Sequence, residues 1–287
     1  MKNIVHLKLL SDVASKNKIY PNVIINPDFM VASDYETTLR INSDTGLLSK
    51  VAVNAKKLFQ LKGDYIDLPD LYSEFNDSQV VYEINPSAIL DVKKLLVSLK
   101  EISYAMAKND VRYYLNGIGF KIEDDKLQLT ASDGCNIGVA TLGYAGTIEK
   151  AFIIPRDGIT LLIKLLSIKG LQSNLVGITL RDEYIVFSID EYEMYITLVD
   201  GKYPDFSRVF ANAQTSTIES FDYEKFKSES AKATILDITF LDIFGTNILT
   251  RMIVAYCKLK DISKLEVSEY WIKVTTPIAT HLTMGKR

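Results

Sequence analysis

The sequence predicts an α+β fold that is built from repeated units, and three observations carry this prediction. Runs with apolar residues at helical spacing alternate with short runs rich in β-branched and aromatic residues. The same order of elements, a helix, several strands and a second helix, occurs twice along the 287 residues. Asp34 and Asp133 each follow an Ala-Ser pair at the end of a predicted strand, which places the two copies in register.

The first copy begins with a predicted helix whose apolar positions run from residue 4 to residue 13. A second, short helix is predicted over residues 55–61, and Asn54 caps it. Between the two helices, an Asn-Pro-Asp sequence joins the first two of several predicted strands. These strands cover residues 22–25, 29–32, 37–41 and 50–53.

The second copy repeats this order with clearer periodicity. Pro86 and Ser87 open a helix that is predicted to reach about Lys108, with apolar residues at spacings of three and four. A further helix, capped by Asp157, is predicted over residues 158–169. The predicted strands of this copy cover residues 112–123, 126–131, 151–154, 176–181, 184–189 and 192–199.

Two polar segments, residues 74–79 and 210–216, have the composition of linkers and divide the chain into three predicted domains. We expect these domains at residues 1–78, 79–211 and 212–287. The last is too small for a full copy of the second unit, and the pattern leaves open whether it is a trimmed third copy. Its predicted elements are a helix from Asp222, an apolar stretch over 239–258 and strands at 264–267 and 270–275.

Composition restricts the functional classes. The net charge is −3, so a role with nucleic acid would need positive charge that is segregated to one surface. No window approaches the roughly 18 apolar residues of a membrane span, and we expect no membrane partner. Two cysteines and two histidines, Cys135, Cys257, His6 and His281, cannot form a zinc site of usual spacing. We expect no metal, and reduced thiols in a cytoplasmic protein.

An enzymatic role finds no support in the sequence. It contains no phosphate-binding glycine loop, no nucleophile elbow and no zinc-protease motif. Asp124 and Asp125 are adjacent in a predicted hairpin turn, and Asp133 precedes Gly134 in a second turn, where a structural role is expected. We therefore expect no catalytic residue and no cofactor.

Basic residues recur on the polar side of the predicted helices. On one helix such residues indicate a solvated face, but their recurrence in an acidic chain indicates a shared basic surface. Such a surface would contact phosphates without reading base sequence. Arg112, Tyr113 and Tyr114 add cationic and aromatic groups at a helix exit. The helix residues in question are Lys8, Lys16, Lys56, Lys57, Lys93, Lys100, Arg156 and Lys164.

Four motifs in the second copy resemble one known family. They are MAKNDVRYYLNG at 106–117, TASDG at 130–134, FIIPRDGITLLIKLL at 152–166 and LVDGKYPDFSRV at 198–209. In this order they resemble the middle domain of the bacterial sliding clamp, the beta subunit of DNA polymerase III. The resemblance covers about residues 80–210, and it is fainter on either side.

The resemblance implies a DNA-clamp fold. Pseudo-repeated α+β domains would form a ring, with basic helices lining a central hole and antiparallel sheets outside. It implies a processivity factor without catalysis, whose partners are duplex DNA, a replicative DNA polymerase, an ATP-driven clamp loader and a second copy of itself in a homodimer. The chain is some 80 residues shorter than typical members, so we expect trimmed first and last domains; a phage or plasmid origin would account for this.

The resemblance also implies an apolar groove that binds partner peptides between the middle and last domains. It would be lined by Leu115, Ser132, Gly134, Cys135, Asn136, Ile137, Pro204, Arg208, Val209, Leu282 and Met284. Family members usually carry His-Arg where this chain has Cys135-Asn136, so the peptide preference is expected to differ. The DNA contacts would come from Tyr113, Tyr114 and the helix lysines. The competing hypothesis is a clamp-like protein that binds such peptides as a regulator or decoy without encircling DNA.

Overall fold

The computed structural model describes residues 2–19, 21–56, 58, 85–212, 216–218, 264–267 and 271–284. This part of the chain contains antiparallel strands and four α-helices, which confirms the predicted α+β class. It divides into two compact units, each built around one sheet. The helices are α1 (Lys2–Ala14), α2 (Val92–Ile102), α3 (Arg156–Leu166) and α4 (Ser207–Asn212).

The first unit comprises the described parts of Met1–Leu96, Tyr144–Glu149 and Asp157–Val199. Its nine strands follow the order β4-β1-β2-β3-β13-β12-β11-β5-β9. They are β1 (Asn22–Ile25), β2 (Phe29–Ser33), β3 (Thr37–Asn42), β4 (Val51–Asn54), β5 (Ala88–Asp91), β9 (Ala145–Gly146), β11 (Leu175–Leu180), β12 (Tyr184–Ile189) and β13 (Tyr192–Thr197). Strand β3 pairs with β13, so one sheet contains strands of both predicted repeats.

Helices α1 and α3 pack against the first unit through apolar residues at helical spacing. Leu10 and Val13 of α1 are fully buried, as are Ile159 and Leu162 of α3, and α1 contacts β1, β2 and β3. The predicted amphipathic character of α3 is therefore confirmed, whereas α1 follows the prediction only in part, because Val5 is exposed and His6 is buried.

The second unit comprises the described parts of Val97–Gly143, Lys150–Arg156 and Asp200–Arg287. Its eight strands follow the order β10-β6-β7-β8-β17-β16-β15-β14. They are β6 (Gly117–Glu123), β7 (Lys126–Ser132), β8 (Asn136–Leu142), β10 (Phe152–Pro155), β14 (Ser216–Ile218), β15 (Lys264–Val267), β16 (Trp271–Thr275) and β17 (Ala279–Met284). Because β8 pairs with β17, this sheet joins the predicted middle and last domains. The three-domain division itself stays a prediction.

Three hairpins share one turn geometry. Asp34 Oδ1 accepts hydrogen bonds from the backbone N–H groups two and three residues later, at 3.1 and 2.6 Å. Asp133 Oδ1 does the same at 2.9 and 2.7 Å. The Thr276 hydroxyl replaces the carboxylate in the hairpin between β16 and β17, at 3.2 and 2.9 Å. The third hairpin supports the interpretation of the last region as a further copy, which the sequence left open.

Two predicted elements differ from the structure. Residues 86–108 do not form one helix, because residues 88–91 form β5, which pairs with β11, and α2 begins only at Val92. Residues 112–116 are not a strand; Tyr113–Leu115 form a 3-10 turn, and Asn116 makes hydrogen bonds to the backbone of Asp110 that close the preceding loop. Most of the helix predicted at 55–61, the linker at 74–79, the helix from Asp222 and the stretch 239–258 lie outside the described residues.

Candidate functional site

Three of the predicted groove residues form one row across the second sheet. Ser132 of β7 lies opposite Ile137 of β8, and Ile137 lies opposite Leu282 of β17. Residues that pair in register point to the same side of a sheet, so these side chains share a face, which we call the Ile137 face. All three side chains are buried. On the opposite face, Gly138 allows close packing of Ile102, whose Cβ lies 3.0 Å from where a Cβ of residue 138 would stand.

Tyr203 covers part of the Ile137 face. Its hydroxyl oxygen accepts a hydrogen bond from the backbone N–H of Ser132 at 2.8 Å. Its ring lies directly on Gly119, where an added Cβ would come within 2.7 Å of the Tyr203 Cβ. Burial raises the pKa of the Tyr203 hydroxyl above its usual range. Tyr203 therefore fixes the segment that carries Pro204 over this sheet, a role that the sequence did not predict.

Asn136 does not belong to this face. It lies opposite Thr283 in the β8–β17 ladder, one residue out of phase with the Ile137–Leu282 pair, so its side chain points to the other side of the sheet. The Asn136 amide accepts a hydrogen bond from the Thr283 hydroxyl at 2.9 Å and donates one to Asp133 at 3.0 Å. The Asn136 side chain is buried and holds the turn, so its place in the groove stays a prediction.

A cation lies beside the turn where the sequence departs from the family. An added Cβ on Gly134, which has a φ of +89°, would stand 2.8 Å from Nη2 of Arg112. The Arg112 side chain also binds Asp110, with Nη2 at 2.8 Å from Oδ2, and this hydrogen bond lowers the pKa of Asp110 to about 2. The structure therefore brings Arg112, which the sequence assigned to the DNA surface, next to the predicted groove residues Gly134 and Cys135.

The other predicted groove residues also belong to the second unit. The backbone N–H of Met284 donates to the carbonyl of Cys135 at 2.9 Å, and Met284 itself points to the Ile137 face. Leu115 is buried in the 3-10 turn. Arg208 is exposed and Val209 is half-buried on α4. The structure thus unites Ser132, Ile137, Leu282 and Met284 on one face. It places Leu115 on the 3-10 turn, and Arg208 and Val209 on α4.

The structure also has a cavity of about 890 Å³ on the Ile137 face. It adjoins the row of buried groove residues, since Thr130, Val139 and Thr280 form the next row of the same face. Pro204 is the one predicted groove residue in its lining. No local pattern in the sequence indicates this cavity, because its wall comes from residues far apart along the chain.

The predicted basic residues fall into two groups. Lys8, Lys56, Lys93 and Lys100 are exposed. Tyr113 is also exposed, and its ring makes an edge contact with Tyr114 at 5.7 Å. Lys57 lies outside the described residues.

The second group is engaged in contacts within the protein. Lys16 Nζ lies 3.1 Å from Asp157 Oδ2, and Lys164 Nζ lies 2.7 Å from Asp12 Oδ2. These two pairs connect α1 and the segment that follows it with α3. The Arg156 guanidinium donates through Nη1 to the carbonyl oxygens of residues 106 and 107, at 2.8 and 3.0 Å, which is a structural role.

The histidines make contacts within the fold. His6 Nε2 lies 3.3 Å from Glu191 Oε1, and His281 Nδ1 lies 3.1 Å from the Tyr104 hydroxyl. Among the residues that the structure describes, no three His, Cys, Asp or Glu side chains are grouped as metal ligands would be. No helix in the described ranges has the length and apolar character needed to cross a membrane.

Comparison with known protein families and sequences gives a consistent result. The model of the DNA polymerase III beta subunit, central domain, matches residues 89–205. A beta sliding clamp of Haemophilus influenzae is 26% identical over 211 residues, which cover 72% of this chain and 52% of the relative. The beta sliding clamp of Pseudomonas aeruginosa is 36% identical over 118 residues, which cover 40% of this chain and 31% of the relative. In these alignments the chain spans about half of its relatives' length or less.

Solved structures match over nearly the full length. The DNA polymerase III subunit beta of P. aeruginosa superposes with a TM-score of 0.78 at 18% identity, covering 100% of this chain and 98% of the other. The beta subunit of Streptococcus pyogenes gives 0.78 at 13% identity, with the same coverage. A P. aeruginosa sliding clamp bound to griselimycin superposes with a TM-score of 0.78 at 19% identity, covering 100% of this chain and 97% of the other. At these identities the likeness shows the fold.

Proposed function

We propose that this divergent member of the bacterial sliding-clamp family is a DNA polymerase processivity factor, which encircles duplex DNA and tethers a replicative polymerase. The observation that carries the proposal is the clamp fold over the whole chain. The exposed lysines on the helices agree with it, because contacts to phosphates hold a protein on DNA without selecting a sequence.

The remaining features of the proposal follow from the family. The chain assembles with a second copy into a closed ring, a clamp loader opens that ring, and the ring has no catalytic activity of its own. It acts in the bacterial cytoplasm. The peptide groove consists of the row of Ser132, Ile137 and Leu282 with Met284 on the same face, and with Pro204, Leu115 and α4 around it.

Retention on circular DNA tests encirclement. The chain is loaded onto nicked circular duplex by the clamp loader of the same organism, and the complex is isolated by gel filtration before and after linearisation. A ring stays on the circle in high salt and slides off the linear ends. Equal retention on both forms contradicts encirclement.

A set of lysine variants tests the basic surface. Changing Lys93, Lys100 and Lys164 together to Gln should weaken DNA binding and reduce the slope of log K against log salt by up to about 0.9 for each lost phosphate contact. The matched control changes three exposed lysines outside the predicted set, Lys126, Lys169 and Lys202, and should leave the slope nearly unchanged. Equal slopes in both variants count against the basic lining.

The groove is tested with griselimycin, which is bound to the clamp in the P. aeruginosa structure. We expect griselimycin to bind this chain in calorimetry, and the double variant Val209→Ser, Met284→Ser to lose that binding because it makes the groove polar. Circular dichroism and sedimentation should be unchanged by the double variant. Undiminished affinity would show that these residues do not line the groove.

The competing proposal is a clamp-like protein that binds partner peptides without encircling DNA. Its ground is the expected trimming of the first and last domains, through which family members close their rings. Sedimentation equilibrium separates the two: a dimer at micromolar concentration supports the ring, and a strict monomer supports the decoy.

A further inference from the structure

We propose that the cavity beside Tyr203 is a second subsite for the partner polypeptide, which takes one aromatic side chain together with a neighbouring acidic residue. This inference rests on the proposed function, since it assigns the cavity to the polypeptide that the groove would hold. The cavity has a volume of about 890 Å³, which lies within the range of sites that hold small molecules or several side chains.

The position of the cavity argues for the same partner. Its floor includes Thr130, Val139 and Thr280, which face the same side as Ser132, Ile137 and Leu282. Adjacent rows on one face of a strand are separated by two residues, or roughly 7 Å. An extended peptide that lies along the row of Ile137 therefore reaches the cavity within one or two residues.

The walls argue for a bulky apolar side chain. Val139 and Ile153 form part of the floor, and Tyr203 and Phe206 form part of the wall. The Tyr203 ring cannot move down into the sheet, because it already lies on Gly119, and its hydroxyl is bound to the Ser132 N–H. The cavity is therefore held open by contacts within the fold, and a planar ring can enter it without displacing a wall.

The charges argue for an acidic neighbour. Among the residues that the structure describes, three lysines line the cavity, Lys121, Lys202 and Lys273, together with two carboxylates, Glu123 and Asp205. Both carboxylates are engaged: Glu123 lies 3.1 Å from Lys121 Nζ and accepts from the Gln128 amide, and Asp205 accepts from the Ser207 N–H at 3.0 Å. That last hydrogen bond is the main cause of the lowered pKa of Asp205. Lys121 lies within 4 Å of both carboxylates, whereas Lys202 is exposed beside the cavity, so Lys202 can pair with a carboxylate of the bound polypeptide.

The experiment uses the dipeptide N-acetyl-Asp-Trp-amide as the probe, titrated into the ¹⁵N-labelled full chain and followed by NMR. We expect saturable shifts at the amides of Gly119, Thr130 and Val139. N-acetyl-Asn-Trp-amide, which lacks the charge, should bind more weakly. Equal affinity for the two dipeptides would overturn the acidic part of the proposal, and the absence of saturable shifts would overturn all of it.

Two variants localise the binding. Val139→Trp fills the cavity. Lys202→Glu reverses one charge at an exposed position, so this variant is expected to fold even if Val139→Trp does not. Each variant should lower the affinity for the Asp-Trp dipeptide about tenfold, equivalent to about 1.4 kcal/mol. Lys169→Glu in the first unit is the charge-matched control and should leave the affinity unchanged. Unchanged affinity in both cavity variants places the dipeptide elsewhere and contradicts the subsite.

A third variant separates this inference from the proposed function. Val209→Ser, Met284→Ser alters the groove and not the cavity, so it should bind the Asp-Trp dipeptide like the unchanged chain. Loss of dipeptide binding in this variant would mean that the cavity is not a separate subsite. DNA retention and sedimentation do not depend on the dipeptide, so a failure of the clamp function is recognised independently.

Discussion

Thr283 and Asn136 are joined by a hydrogen bond between buried side chains, in which the Thr283 hydroxyl donates to the Asn136 amide oxygen at 2.9 Å. Asn136 in turn donates to Asp133, which accepts the N–H groups of residues 135 and 136. This chain of hydrogen bonds fixes the turn after β7 against β17, so Asn136 positions residues of the proposed groove from the opposite face of the sheet.

Removing the Asn136 amide should therefore destabilise the protein. Asn136→Ala leaves the buried Thr283 hydroxyl without this acceptor, and a lost buried hydrogen bond costs about 1–3 kcal/mol in the free energy of unfolding. Urea denaturation measures the change, and Thr141→Val, at an exposed site on the same strand, should stay within about 0.5 kcal/mol. An effect of Asn136→Ala no larger than that of Thr141→Val would show that the bond does not stabilise the turn.

Replacing glycine by alanine should destabilise the protein at a closely packed position and have little effect at an open position of the same unit. A Cβ on Gly117 would overlap the backbone carbonyl of Ile154, which pairs with β6, whereas a Cβ on Gly143 meets no atom within 4 Å. Gly117→Ala should lower the free energy of unfolding by about 1–3 kcal/mol or more, because the β6–β10 ladder must shift. Gly143→Ala is the control, and thermal unfolding of both variants gives the comparison; equal stabilities would contradict the close approach.

The sequence predicted the features that depend on local patterns. The turns at Asp34 and Asp133 were expected from their Ala-Ser-Asp context, and their hydrogen bonds match within a few tenths of an ångström. Helix α3 also follows its apolar spacing closely. These elements could be predicted because their geometry is set by residues that lie within a few positions of one another.

The features that depend on distant pairing could not be predicted in this way. Residues 88–91 fit a helical pattern, yet Leu90 pairs with Val176, and a strand partner so far along the chain overrides local propensity. The positions of Arg112 beside Gly134 and of Tyr203 on Gly119 have the same origin. Asn136 was assigned to the groove from the family resemblance together with Ile137, whereas successive strand residues point to opposite faces.

The pH dependence of the Asp110–Arg112 pair gives a further prediction. The Arg112 side-chain hydrogen bond lowers the pKa of Asp110 from 3.8 to about 2, so this carboxylate stabilises the folded state at pH values above 3.8. The stabilisation is lost as the pH falls from about 4 toward 2, where Asp110 becomes protonated. Carboxyl NMR titration should show the low pKa, and Arg112→Gln should raise it. An unchanged Asp110 pKa in that variant would contradict the assigned cause.

The ion pairs between α1 and α3 should moderate DNA binding. Lys16 and Lys164, two of the lysines proposed to contact phosphates, lie 3.1 and 2.7 Å from Asp157 and Asp12. Pairs with such exposed partners are worth no more than about 1 kcal/mol. Phosphate can therefore compete for Lys164, whereas the Lys16 ammonium is buried and must swing outward to reach a phosphate. Asp12→Asn with Asp157→Asn should raise the affinity for duplex DNA about fivefold at low salt and steepen its salt dependence, because both lysines then become available to phosphates.

The control for this prediction changes the same charge elsewhere. Asp124 lies in the exposed turn between β6 and β7, and Asp124→Asn alters the net charge without releasing a lysine of the proposed DNA surface. Fluorescence anisotropy of a labelled duplex, measured at several salt concentrations, gives the affinity and the slope for each variant. Asp12→Asn and Asp157→Asn are also measured singly. If neither raises the affinity for DNA more than Asp124→Asn does, then Lys16 and Lys164 do not contact DNA. The basic surface would then consist of other exposed lysines, such as Lys93 and Lys100.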